Sequence, residues 1–244
     1  MKKKSSSNTL LIGFLIVLAF FTGYLFFKVQ FLEKNSTVSV GTQAGDQPQA
    51  QQPQTGGKPV NIKNVKLKGQ PYIGDKNAPV TLAYWFDFQC PFCKSFETNT
   101  MSTLINQYVK AGKLRIVFKN YQFLGEDSQT AGLAEKAVWE LYPDQYFAWH
   151  EAIYKAQDDE NAGFGNKESI IQLTRTISGI NADKVLQLMD QKKDQYQKEI
   201  DSDKAEGTAF GINGTPGFVI DTQLISGAQP AKVFTQVIDA LLKK

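Results

Sequence analysis

Apolar positions fall into three regimes along this chain. LLIGFLIVLAFFTGYLFF (10–27) is an uncharged apolar run of about 18 residues, near the lower limit for a helix that crosses a bilayer. Residues 28–60 then turn polar, with Gln, Gly, Pro, Ser and Thr dominating from 34 onward and too few apolar positions to build a core. Beyond them the pattern becomes that of a folded domain. APVTLAYWFDF (78–88) is dense in β-branched, aromatic and aliphatic residues and predicts a buried strand. Phe92, Phe96, Leu104, Ile105 and Tyr108 follow at roughly helical spacing, and Gly112 suits the helix end. KLRIVFKNYQF (113–123) predicts the next strand.

About 85 residues of helical pattern follow, with no convincing strand. Residues 128–142 place Ala131, Ala134, Val138, Leu141 and Tyr142 on one face. Further helices are expected over 144–156, 167–178 and 182–211, the last as one continuous element. FVID and LISG then read as short strands, and AKVFTQVIDALLKK as a closing helix. The expectation is an α/β domain over 61–244 with a helical insertion at about 124–208. In front of it come a basic N-terminus (1–9), a transmembrane helix (10–27) and a flexible linker (28–60).

Charge changes this picture little. Lys and Arg total 27 against 24 Asp and Glu, a net charge of +3, and three of those lysines precede the apolar run. Nothing here argues for nucleic-acid binding. No glycine-rich phosphate loop or serine–histidine arrangement appears.

Cysteine changes it most. The chain holds two, Cys90 and Cys93, inside DFQCPFCKSF (87–96). A zinc site needs about four ligands, and there is no second Cys pair and only one histidine, His150. A staple would close a very short loop and restrict the unfolded chain little. Redox exchange needs two neighbouring thiols, one of them reactive, and C-x-x-C supplies this when the first Cys lies at a helix N-terminus. The flanks put it there, since Pro91 falls just inside the predicted helix, where its missing N–H is no loss. Helix-terminal N–H groups would then favour the Cys90 thiolate. Cys93, one turn in, is the natural resolving thiol.

Strand, C-P-F-C and helix together resemble a thioredoxin-fold protein of the DsbA-like group. GINGTPGFVID (211–221) resembles that group's loop with a cis Thr-Pro bond facing the disulfide, and LISGAQP (224–230) its last strand and turn. The resemblance runs from about Asn77 to the C-terminus. It implies a thioredoxin fold with a spliced helical subdomain, Cys90 as nucleophile and Cys93 as resolving thiol, with support from Pro91, Phe92, Thr215 and Pro216. It implies no cofactor and no metal. Many relatives carry an acid six positions before the first Cys, where this chain has Tyr84, so the deprotonation route of Cys93 stays open. Asp87 matches an acid that some relatives carry, which makes it a further support residue of the site, although a helix cap or loop residue is its first reading. Lys94 reads as a thiolate neighbour or as a solvated lysine. His150 reads as a packing or surface residue, or as a proton relay near Cys90.

The lysines before the apolar run place the N-terminus inside and the rest outside. An uncleaved anchor is expected, because Lys28 to Glu33 follow the run where a signal peptide would have small residues. A tether of about 27 residues would reach near 30 Å. The implied function is thiol-disulfide exchange outside the cytoplasm, with disulfide donation to reduced exported proteins as the leading direction. A membrane redox partner would reoxidise the pair. A reductase or isomerase of the same fold, and a peptide-binding module with incidental thiols, are the alternatives.

Overall fold

A computed structural model describes residues 60–160 and 162–244. The predicted anchor at 10–27 and nearly all of the 28–60 linker lie outside these described residues. Among the described residues, no helix is long and apolar enough to cross a membrane.

The centre of the fold is β2 (Val80–Phe86), the dense apolar run of the sequence. It pairs in parallel with β3 (Leu114–Asn120) and antiparallel with β4 (Gly217–Ile220). β5 (Gln223–Ser226) extends one edge, and a two-residue strand, β1 (Tyr72–Ile73), closes the other. The order is β1-β3-β2-β4-β5. A strand buried on both faces has no reason to alternate, and β2 and β3 share the same nearly uniform burial. β1 was not foreseen: two half-buried residues carry no periodic signal.

Side chains on a strand alternate between faces, so the sheet sorts its residues in two. Leu82, Tyr84, Phe86, Phe118, Phe218 and Ile220 join the larger core, with α1 (residues 91–109), the helical insertion and α7 (Ala231–Leu242). Ala83, Trp85, Tyr121 and Val219 face the other way and pack with Val65, Phe210 and Ile212.

α1 is the helix predicted after the cysteines, but it is not uniform. α-helical turns at Pro91–Phe96 and Ser102–Leu104 alternate with π-helical turns at Glu97–Met101 and Ile105–Val109. The wider turns keep Cys93, Phe96, Thr100, Met101, Leu104 and Tyr108 on the buried side, a register that a strict 3.6-residue repeat would lose.

The insertion comprises α2 (Glu126–Leu141), α3 (Tyr146–Ala156), α4 (Lys167–Arg175), α5 (Ala182–Gln191) and α6 (Lys193–Ala209). The single helix expected over 182–211 is two, broken at Lys192. The halves have different partners. α5 packs Val185 and Met189 towards α2, whereas α6 crosses β3 and β2 with Ile200, Asp203 and Gly207 buried. One straight helix could not serve both surfaces.

Candidate active site

The C-P-F-C segment sits where β2 ends and α1 begins. Cys90 is the N-cap of α1, in an extended conformation, with Pro91 at the first helical position. Its side chain is almost wholly buried, and Cys93 is entirely so. Both thiols are free. Phe92 between them is 65% exposed, so the pair lies at the surface behind an apolar residue.

The loop at 211–217 completes the site. The Thr215-Pro216 bond is cis, and Cys90 Sγ lies 3.3 Å from Thr215 O, donating as a thiol. The Thr215 hydroxyl is buried and has no hydrogen-bond partner of normal geometry among the described residues. Cys90, Pro91, Cys93, Thr215 and Pro216 are thus brought together across more than 120 residues of chain.

The two thiols are driven apart electrostatically. The Cys90 pKa is lowered to about 6, chiefly by a hydrogen bond from the Cys93 thiol. Burial opposes this, and the Thr215 hydroxyl and the N–H groups of Cys93 and Phe92 assist it. N–H groups at a helix start donate to an anion there because they lack intrahelical partners. Burial pushes the Cys93 thiol well up, reinforced by the hydrogen bond it gives Cys90 and by the Cys90 charge. This split favours the thiolate at Cys90 and the thiol at Cys93.

Asp87 is not a helix cap. It is fully buried in the β2–α1 turn, where Oδ1 accepts from Gln89 N at 2.8 Å, and Oδ2 from Phe123 N at 2.8 Å and Leu124 N at 3.1 Å. These bonds join the turn to the segment after β3. Burial raises the Asp87 pKa, and those N–H groups and the Ser128 hydroxyl oppose the rise. Lys94 does not turn to the thiolate, because its ammonium donates to Gln157 O. His150 is packed rather than solvated, ringed by Phe86, Phe88, Phe118, Phe147 and Tyr154. Its Nε2 lies 3.0 Å from Glu97 Oε1, and Nδ1 lies 3.3 Å from the Tyr146 hydroxyl.

Two contributors carried no local signal. Gln157, at the end of α3, donates from Nε2 to Phe88 O at 2.6 Å and to Cys90 O at 3.2 Å. The Tyr154 hydroxyl donates to Asp87 O at 3.1 Å. The insertion therefore grips the backbone from Asp87 to Cys90. A glutamine and a tyrosine 60 or more residues downstream belong to no spacing pattern that could have revealed them.

Comparison with known proteins agrees with this geometry. The family described as Thioredoxin matches residues 66–240. Disulfide bond formation protein D of Bacillus subtilis is 25% identical over 177 residues, covering 72% of this chain and 79% of that protein. The oxidised crystal structure of BdbD from Bacillus subtilis superposes with a TM-score of 0.68 at 24% identity, over 77% of this chain and 98% of that one; this likeness shows the fold. The thiol-disulfide exchange protein alpha-DsbA2 from Wolbachia pipientis gives 0.62 at 26% identity, over 70% and 87%. With a helix-capping thiol of low pKa, a buried partner thiol and a facing cis-proline loop on that fold, the chain belongs to the thioredoxin family, as a DsbA-like thiol-disulfide oxidoreductase.

Proposed function

We propose that this protein donates disulfide bonds to reduced proteins outside the cytoplasm, through Cys90 and Cys93, from a tether formed by residues 10–60. The observation that carries the reading is the split between the two thiols, with Cys90 held down to about 6 and Cys93 held up. A stabilised thiolate makes the reduced form comfortable and the disulfide a strong oxidant. The names of the Bacillus relatives support the same direction.

In the proposed cycle a client thiolate attacks the Cys90 sulfur. The Cys90–Cys93 bond breaks, its electron pair leaves on Cys93, and a mixed disulfide joins client to Cys90. A second client thiolate attacks the client sulfur of that bond and expels Cys90 as thiolate. The client is oxidised by two electrons and the pair is reduced. An extracytoplasmic membrane partner that accepts two electrons then restores the disulfide. Phe92 offers an apolar contact beside the reacting sulfur, and the backbone at Thr215 offers pairing to an extended client segment. Asp87 and Pro91 hold the loop in which Cys90 sits. The charge-free run at 10–27, with lysines before it, supports a single span with the N-terminus inside.

The deciding measurement is the equilibrium redox potential of the full chain against a glutathione buffer series. A potential well above the glutathione couple supports donation. A value near that of thioredoxin transfers the assignment to a reductase.

A further inference from the structure

Tyr84 occupies the strand position where many relatives carry an acid. It lies in β2, six residues before Cys90, with its ring fully buried. The ring stacks on Phe218 at 4.9 Å and leans on Phe96 at 5.0 Å and Phe86 at 5.4 Å. Aromatic packing on several sides fixes where the hydroxyl points. That hydroxyl is buried and makes no hydrogen bond of normal geometry, an arrangement that costs stability and calls for a reason.

Its surroundings supply one. The groups that act on the Tyr84 hydroxyl are Cys93 and Glu97 on α1 and the Tyr154 hydroxyl on α3. Tyr154 already spends its proton on Asp87 O, and Glu97 is engaged by His150. The Cys93 thiol, which points its own proton at Cys90, is buried one turn before Phe96, the ring on which Tyr84 leans, so the Tyr84 hydroxyl has two neighbours able to accept from it, the Cys93 sulfur and the Tyr154 oxygen.

We propose that the Tyr84 hydroxyl is a hydrogen-bond donor to the Cys93 thiolate, and that this bond forms only when the Cys90–Cys93 disulfide is attacked or when Cys93 is about to attack. This rests on the redox reading above. As a client thiolate bonds to the Cys90 sulfur, the breaking disulfide sends its electron pair to Cys93. The phenol stabilises that leaving sulfur without transferring a proton. In the reverse step it stabilises the Cys93 thiolate that attacks a mixed disulfide. A lower pKa makes a better leaving thiol. The phenol is no substitute base, because burial and the Cys93 charge raise its own pKa further. The backbone N–H of Asp87 and the Thr215 hydroxyl also favour the Cys93 thiolate, while the charge of Cys90 opposes its ionisation. With Tyr84 as the third, these donors would serve a thiol that is fully buried.

The test uses the full chain and its Tyr84→Phe variant, both oxidised, with dithiothreitol as reductant and glutathione as a mixed-disulfide adduct on Cys90. We expect reduction of the variant to be roughly tenfold slower at neutral pH. The pH midpoint for expulsion of glutathione by Cys93 should rise by about one unit. Melting temperature should stay level or rise, because the lost hydroxyl had no partner in the reduced form. Equal rates and an unmoved midpoint overturn the proposal. A variant that melts well below wild type also overturns it, since the hydroxyl would then be bonded structurally. If wild-type protein neither forms the disulfide nor yields it to dithiothreitol, the redox reading itself fails, and that outcome is distinct because it needs no variant.

Discussion

Two buried polar clusters lie on opposite faces of the same central strands, and they are built on opposite rules. On the Trp85 face, Lys119 Nζ lies 2.5 Å from Asp203 Oδ1 and 3.0 Å from Glu206 Oε2. Lys136 Nζ lies 3.4 Å from Asp203 Oδ2 and 3.1 Å from Gln70 Oε1. Asp203 also accepts from Gln70 and from Asn120 N, and its carbonyl accepts from Trp85 Nε1. Two positive and two negative charges are matched at short range. On the Tyr84 face, the thiol site leaves two hydroxyls, those of Tyr84 and Thr215, without partners. Low-dielectric surroundings magnify both choices. Matched charges pin α2, α6 and β3 in one arrangement, whereas idle donors around sulfur are available to the charge that appears during exchange.

The sharpest break of this comparison is Cys90→Ala. It should lower disulfide transfer to a reduced test protein by roughly a thousandfold or more, since no other sulfur can take the first attack. Stability should change far less. The companion variant Cys93→Ser should retain attack on small disulfides and accumulate mixed disulfides with clients, seen as adducts on non-reducing gels.

Asp203→Ala should do the reverse. It strands the Lys119 and Lys136 ammonium groups in the interior, at a cost of about 3–5 kcal/mol in urea unfolding. The folded fraction should keep its exchange rate per molecule. Loss of exchange in step with stability would show that the two clusters are not independent.

Third in size is a pH effect confined to one redox state. The Cys90 pKa is about 6 in the fold and near 9 without it. A depressed pKa contributes stability that is complete above the unfolded value and is lost as pH falls through the folded one. The reduced protein should therefore gain a few kcal/mol between about pH 6 and pH 9, and the oxidised protein should not gain this contribution. Urea titrations of both forms across that range measure it.

The smallest effect on the fold belongs to Phe92→Ser. An exposed side chain should alter stability by under about 0.5 kcal/mol. Exchange with protein clients should slow while exchange with glutathione does not, which compares the two substrates in one assay.

Much of this was legible in the chain. Six apolar residues among the seven of β2 could only be a buried strand, and C-P-F-C after it could only open a helix at its first thiol, because proline tolerates the first helical turn and little beyond. G-T-P and G-A-Q-P carried the family resemblance. Such features are local: they depend on backbone preferences and on which residues must leave water. The break at Lys192, the π-helical turns of α1, the two-residue β1 and the grip of Gln157 on the Cys90 loop were not legible. Each is decided by what a segment packs against, and that is fixed by residues tens of positions away. The sequence alone therefore determined the strand, the helix start and the placing of two thiols at it. Only the tertiary structure decided which distant groups hold the Cys90 loop and which hydroxyls stand idle beside the thiols, because burial and hydrogen-bond partnership are properties of the assembled interior.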